Sequence, residues 1–152
     1  MALPHAPDVD QDEIPSICKP LPHRTTTPEE RAVTAAGWMM FKSTQDGRGV
    51  IAVGASADLD GMCRPNQYQD FVFVNGKFAG TLSPKLMDAR SDGSSVEISY
   101  PAANKIQVKF NRYNERDALC CPSRNSEAAY EIRNDRGQPV VVLTGVRTRP
   151  NK

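Results

Sequence analysis

Histidine is scarce. The chain of 152 residues has two, His5 and His23, both in a proline-rich N-terminal stretch. A Cys–His or Ser–His nucleophile in the body of the chain is therefore excluded unless His23 folds back, because no imidazole is there to act as base. A histidine-based zinc site falls on the same ground. No basic stripe is present: 19 Lys and Arg are interspersed with 18 Asp and Glu, for a net charge of +1, and no nucleic-acid partner is expected. No apolar run approaches membrane-spanning length. No Gly-rich loop follows a strand and opens a helix, so nucleotide chemistry is not indicated. An export signal is also missing, since Met1-Ala2-Leu3-Pro4 is neither basic nor followed by an apolar core. The chain is then either cytosolic or the mature part of an exported protein, and its cysteines favour the second.

Four cysteines are present: Cys18, Cys63, Cys120 and Cys121. Two bridges can be drawn among them in three ways. In an extended segment, successive side chains point to opposite faces, so Cys120 and Cys121 would pair with different partners. This favours Cys63 with one of them and Cys18 with the other; a Cys63–Cys121 bridge would contribute roughly 4 kcal/mol by loop-closure entropy. A vicinal Cys120–Cys121 ring, which forces a strained backbone, and free thiols or metal ligands are the alternatives. A four-cysteine zinc site lacks the paired C-x₂-C spacing. Asp58-Leu59-Asp60-Gly61 lacks the further acids of a calcium loop and reads as a turn. No metal and no cofactor are expected.

Twelve prolines and ten glycines announce many turns. Residues 1–27 read as an extended leader, 28–148 as a single β-rich domain, and 149–152 as the end of a polar tail that begins at 147. Thr27-Pro28-Glu29-Glu30 starts a helix, with Thr27 as cap, Pro28 in the first turn and Glu30 closing a capping box; Gly37 stops it. Trp38–Phe41 and Val50–Val53 make a first hairpin around Asp46–Gly49, with the Trp and Met residues in the core, and Ser56–Gln67 reads as a loop. Asn75-Gly76 between two apolar runs is the strongest hairpin signal. It sets Phe73 opposite Phe78 and Phe71 opposite Gly80, with Phe71, Phe73, Phe78 and Leu82 on one core face and the helix a candidate cover for the other. Ser83-Pro84 opens a further short helix through Asp88. Val96–Tyr100 with Ile106–Phe110, and Ala128–Ile132 with Val140–Leu143, alternate as two more hairpins, and the last run suits a central strand. The expected fold is mainly β with some α, its antiparallel hairpins forming a curled sheet or sandwich.

Arg64, Arg112, Arg116 and Arg124 bracket the cysteines, with Tyr68 and Tyr113 nearby in sequence. They are candidates for a patch that binds a small anionic ligand. The plainer reading pairs them with Asp117, Glu115 and Asp70 to hold loops. The acids show no spacing that singles out a catalytic pair, so an acid–base hydrolase ranks last among the function classes. A thiol–disulfide redox protein using Cys120 and Cys121 ranks above it. A non-catalytic binding or structural module stapled by disulfides ranks first, with an envelope protein or a small anion as partner.

Three runs carry a family resemblance: Asp60-Gly61-Met62-Cys63-Arg64-Pro65 continued by Tyr68–Val74, then Phe78-Ala79-Gly80-Thr81-Leu82-Ser83-Pro84, and Arg112-Tyr113 followed by Asp117-Ala118-Leu119-Cys120-Cys121-Pro122-Ser123. Together, over roughly residues 37–133, they resemble the LppP/LprE-like bacterial lipoproteins. The resemblance implies an exported, extracytoplasmic protein of the periplasm or cell envelope with no established enzymatic activity. Some members are lipid-anchored. This chain carries no export signal and no lipid-bearing cysteine, so any anchor belongs to the unprocessed form.

Overall fold

Eight strands in chain order form two four-stranded antiparallel meanders. The first sheet holds β1 (Met39–Gln45), β2 (Val50–Leu59), β3 (Pro65–Val74) and β4 (Lys77–Thr81). The second holds β5 (Ser95–Ser99), β6 (Lys105–Arg112), β7 (Arg124–Asp135) and β8 (Gln138–Pro150). The structure, a computed structural model, describes residues 1–10, 13–18, 25–118 and 120–151; His23, Pro20 and Pro22 lie outside these. The sheets face each other as a sandwich, and no closed barrel forms among the described residues.

Helix α1 (Pro28–Ala35) starts as its sequence demands. The Thr27 hydroxyl accepts the Glu30 amide at 3.1 Å, and Glu30 Oε1 accepts the amides of Thr26 and Thr27 at 2.8 and 3.3 Å. The chain leaves the helix through Gly37 at φ +94°, a conformation that glycine adopts without steric cost.

β2 is buried on both faces, and its alternation divides two cores. Ile51, Val53, Ala55 and Ala57 point outward and pack with Trp38, Met40, Phe71, Phe73 and Phe78 beneath Val33 of α1. Leu3, Ala6 and Val9 of the leader complete that cover. Val50 and Ala52 point the other way, with Tyr68, Val72 and Ala79, against Ile106, Val108, Phe110, Ala128 and Tyr130 of the second sheet. Burial of a residue such as Phe71 or Val72 contributes roughly 1.5–3 kcal/mol. The leader is docked at separate points: Trp38 Nε1 donates to Pro4 O at 2.9 Å, and Ile14 and Cys18 are buried against Leu59.

Several local expectations change. Phe73 does pair with Phe78, but a bulge between Val72 and Phe73 sets Phe71 opposite Thr81 and Val72 opposite Gly80. The bulge swings Leu82 into the inter-sheet core, away from the three phenylalanines. The coverings are thus exchanged: the helix lies over the phenylalanine face, and the second sheet covers Val72 and Ala79. Val141 of β8 fills the space at Gly80, where an added Cβ would lie 2.7 Å from Val141 Cγ2. The segment after Ser83 is not helical. It is extended enough for Met87 to bridge Tyr68 through two backbone hydrogen bonds, at 2.8 and 3.0 Å, and the second short helix is a 3-10 turn at Ser16–Cys18. The loop expected over 56–67 shrinks to 60–64, because β2 and β3 extend their pairing to Leu59 and Pro65. β8 lies at a sheet edge, not at its centre, and runs to Pro150 through what reads as a polar tail.

The outer face of the second sheet is charged and solvated. Glu97, Lys109, Glu127 and Arg147 stand in one cross-strand row with alternating signs, so neighbouring charges compensate.

Candidate functional site

The two sheets part at one end. There the Leu82–Met87 segment stands away from β6, β7 and β8 and leaves a hollow of about 260 Å³. Leu82, Pro84 and Met87 form one wall; Phe110, Ala128 and Tyr130 form the floor; Leu143 and Val146 of the edge strand form the other wall. Leu143 and Val146 are 47% and 58% exposed, unlike the buried floor. A second hollow of about 280 Å³ shares Ser83, Pro84, Tyr130 and Leu143 with the first, so the two make one groove. Burial pushes the Tyr130 phenol up to about 12, with the Asp70 charge adding to the shift.

Polar character enters at one end. Arg112 Nε donates to Ser126 Oγ at 3.0 Å and Nη1 to Asp92 O at 2.5 Å, while the guanidinium lies 5.3 Å from the Phe110 ring centre. Its acceptors are therefore a hydroxyl and a carbonyl, and among the described residues it forms no ion pair. Asp92 is engaged elsewhere: it accepts Lys85 Nζ and the Asp88 amide, each at 2.9 Å. Burial opposes ionisation of Asp92, but these bonds and the nearby cations prevail and hold it below the usual carboxylate range.

A buried ion pair lies deeper between the sheets. Lys42, Gly54 and Asp70 are cross-strand neighbours on β1, β2 and β3. Lys42 Nζ passes over Gly54 to lie 3.7 Å from Asp70 Oδ1 and donates to Ser95 O and Oγ at 2.6 Å each. An added Cβ on Gly54 would lie 2.8 Å from Lys42 Cγ and 2.9 Å from Asp70 Oδ1, so this row needs glycine. Burial raises the Asp70 carboxyl and lowers the Lys42 ammonium, each partly offset by the other.

The structure brings some of the candidate residues together. Arg112 and Arg124 are cross-strand partners, and Tyr68 joins them through the turn at 92–93, its buried hydroxyl donating to Gly93 O at 2.6 Å. Burial, then the Asp70 charge, pushes that phenol well above its ordinary range. Arg64 is instead held in the β2–β3 turn by Asp60, Nε to Oδ2 at 2.9 Å. Arg116 is exposed in the turn after β6, and Tyr113 is half-buried beside it. The plainer pairing is not what holds this loop either. Asp117 Oδ2 accepts the amides of Asn114 and Ser123 at 2.6 and 2.9 Å and the Ser123 hydroxyl at 2.8 Å.

The cysteines pair differently from the favoured expectation. Cys18 is bonded to Cys63, and Cys120 to Cys121. No bridge therefore draws Arg64 to the other arginines. Cys18 is fully buried, whereas Cys120 and Cys121 are exposed. Among the described residues, no group of three or more His, Cys, Asp and Glu side chains is placed to hold a metal.

Sequence reasoning missed the groove. Leu82-Ser83-Pro84 stood out as a motif, yet Leu143 closed a run that reads as a central strand and Val146 fell between that run and the polar tail, so neither pointed to a groove.

No curated protein and no solved structure matches the chain. A family model described as LppP/LprE lipoprotein matches residues 50–135, the stretch that runs from β2 to the end of β7 and includes the groove's floor, Arg112 and three of the four cysteines. By this match over more than half its length, the chain belongs to the LppP/LprE lipoprotein family.

Proposed function

We propose that the protein is a non-catalytic, extracytoplasmic module of the cell envelope that binds its ligand in the groove between the Leu82–Met87 segment and β6–β8. Family membership and the Cys18–Cys63 bridge support the location, since such bridges persist outside the reducing cell interior. The observation that carries the binding role is the open apolar wall of Leu143 and Val146 facing an otherwise buried floor. Contiguous apolar surface left open beside a core marks a binding site. No carboxylate lines the inner hollow, which speaks against acid–base hydrolysis there.

The test uses the neutral fluorescent probe N-phenyl-1-naphthylamine. The protein should bind it, and Val146→Trp, which fills the hollow, should weaken binding by roughly tenfold with an unchanged circular dichroism spectrum. Absence of binding by the unaltered protein would refute the reading.

A redox role is the second reading, favoured by one observation: the Cys120–Cys121 bond is exposed to partners. Failure to accelerate the reduction of insulin by dithiothreitol would sink it.

A further inference from the structure

We propose that the groove takes a linear aliphatic carboxylate, its head at Arg112 and its chain running past Tyr130 and Leu143. This deepens the binding reading above and rests on it.

Arg112 is half-buried at the end of an apolar hollow, and its cation is met by neutral acceptors alone. A guanidinium so placed has lost water while its hydrogen bonds go to neutral groups and the nearest carboxylate, Asp92, acts on it only through space, so an anion brought beside it is stabilised by both Coulomb attraction and a charge-assisted hydrogen bond. The surroundings have the same sign. Lys85 lines the same hollow and Arg124 is the cross-strand neighbour of Arg112, while the Asp92 carboxylate is already bonded to Lys85 and the Asp88 amide. With Lys85 and Asp92 paired, Arg112 is the cation of the hollow's lining that has no ion-pair partner among the described residues.

Shape and chemistry then narrow the ligand. Beyond Arg112 the walls and floor are mostly hydrocarbon, with Ser83, Lys85, Ser126 and the Tyr130 hydroxyl the polar groups that could orient a sugar or a peptide. At about 30 Å³ for each water-sized group, the inner hollow of about 260 Å³ holds roughly eight or nine heavy atoms. The adjoining hollow of about 280 Å³ continues the space past Pro84, Tyr130 and Leu143, so an elongated chain fits better than a compact ring system. The head is small. Arg112 Nε and one hydrogen of Nη1 are engaged with the Ser126 hydroxyl and the Asp92 carbonyl, leaving the second Nη1 hydrogen and the two on Nη2 to meet one compact anionic group, as a carboxylate can.

The test displaces N-phenyl-1-naphthylamine from the folded, oxidised protein with decanoate, decanol or decyltrimethylammonium, each kept monomeric. Decanoate should displace the probe at roughly tenfold lower concentration than decanol, as one charge-assisted hydrogen bond implies, and the cationic amphiphile should be weakest. Arg112→Met should bring decanoate level with decanol while leaving decanol unchanged. Arg112→Lys, which keeps the charge and guards against a variant that merely misfolds, should retain part of the preference. Equal displacement by decanoate and decanol on the unaltered protein overturns the carboxylate assignment and leaves the groove reading standing. Full preference surviving in Arg112→Met overturns the role of Arg112. Absence of probe binding overturns the groove reading itself.

Discussion

Lys42→Met should be far more damaging than its place on a first strand suggests. The lysine ammonium lies 3.7 Å from an Asp70 carboxylate that is 2% exposed, and it also bonds Ser95 O and Oγ. Asp70 Oδ1 has no hydrogen-bond partner, so the lysine charge is its main compensation. Removing one member of a buried pair costs about 3–5 kcal/mol. The Lys42 side chain keeps 25% exposure, which places the expected loss near the lower end, about 3 kcal/mol. With a urea dependence of about 2 kcal/mol per M, the unfolding midpoint should fall by about 1.5 M. Circular dichroism in urea without reductant measures this. The loss should depend on pH in a definite direction. Burial already raises the Asp70 carboxyl, and losing Lys42 raises it further. A group whose folded value lies above its unfolded value stabilises the fold when protonated and loses that contribution as pH rises through the folded value. The deficit of Lys42→Met should thus be largest at neutral pH and shrink as pH falls toward the ordinary carboxylate value of 3.8. Adding Asp70→Leu should recover all but about 1 kcal/mol, the remainder being the Ser95 carbonyl left without its donor. A deficit under about 1 kcal/mol, a deficit flat with pH, or a double variant no better than the single would refute the reasoning.

Other consequences can be checked by the same unfolding assay. Gly54→Ala should cost about 1–3 kcal/mol by forcing Lys42 and Asp70 apart. Gly93→Ala should be worse, about 3 kcal/mol or more, because its Cβ would fall 1.6 Å from the Asn111 carbonyl oxygen at φ +94°. Thr27→Ala should remove about 1 kcal/mol with the capping box. Differential alkylation with mass spectrometry should find that mild reductant opens the exposed Cys120–Cys121 bond before the Cys18–Cys63 bond, whose Cys18 is fully buried. Replacing Cys18 and Cys63 by Ser should cost about 4 kcal/mol by the entropy of a loop spanning 45 residues of separation.

Much of the local structure was legible in the residues, because its causes are local. Thr27-Pro28-Glu29-Glu30 can satisfy its own helix start, and Asn75-Gly76 can supply its own turn, so both came out where the sequence places them. The alternation of Ile106, Val108 and Phe110 marked an inner face and a solvated outer face correctly. The pairing of the cysteines was not legible, since it depends on which loops the sheets carry together: Cys18 rides on a leader pinned against Leu59, within reach of Cys63 alone. The placement of the arginines was not legible either. Register unites Arg112 and Arg124, while Asp60 keeps Arg64 in another turn.

Residue pattern alone dictated the class of fold, the helix, the hairpin turns and the family, because capping, turn chemistry and period-two alternation act over a few residues. Packing in three dimensions settled which sheet face meets the helix and which meets the second sheet. The bulge beside Val72 shifts the pairing of β3 with β4 and sends Leu82 to the opposite core, and nothing in a single strand's pattern reports what will cover it. The groove has the same origin. Leu143 closes a run that reads as a covered strand and Val146 falls outside it, and both line an opening because β8 runs on at a sheet edge, past where the first sheet can cover it.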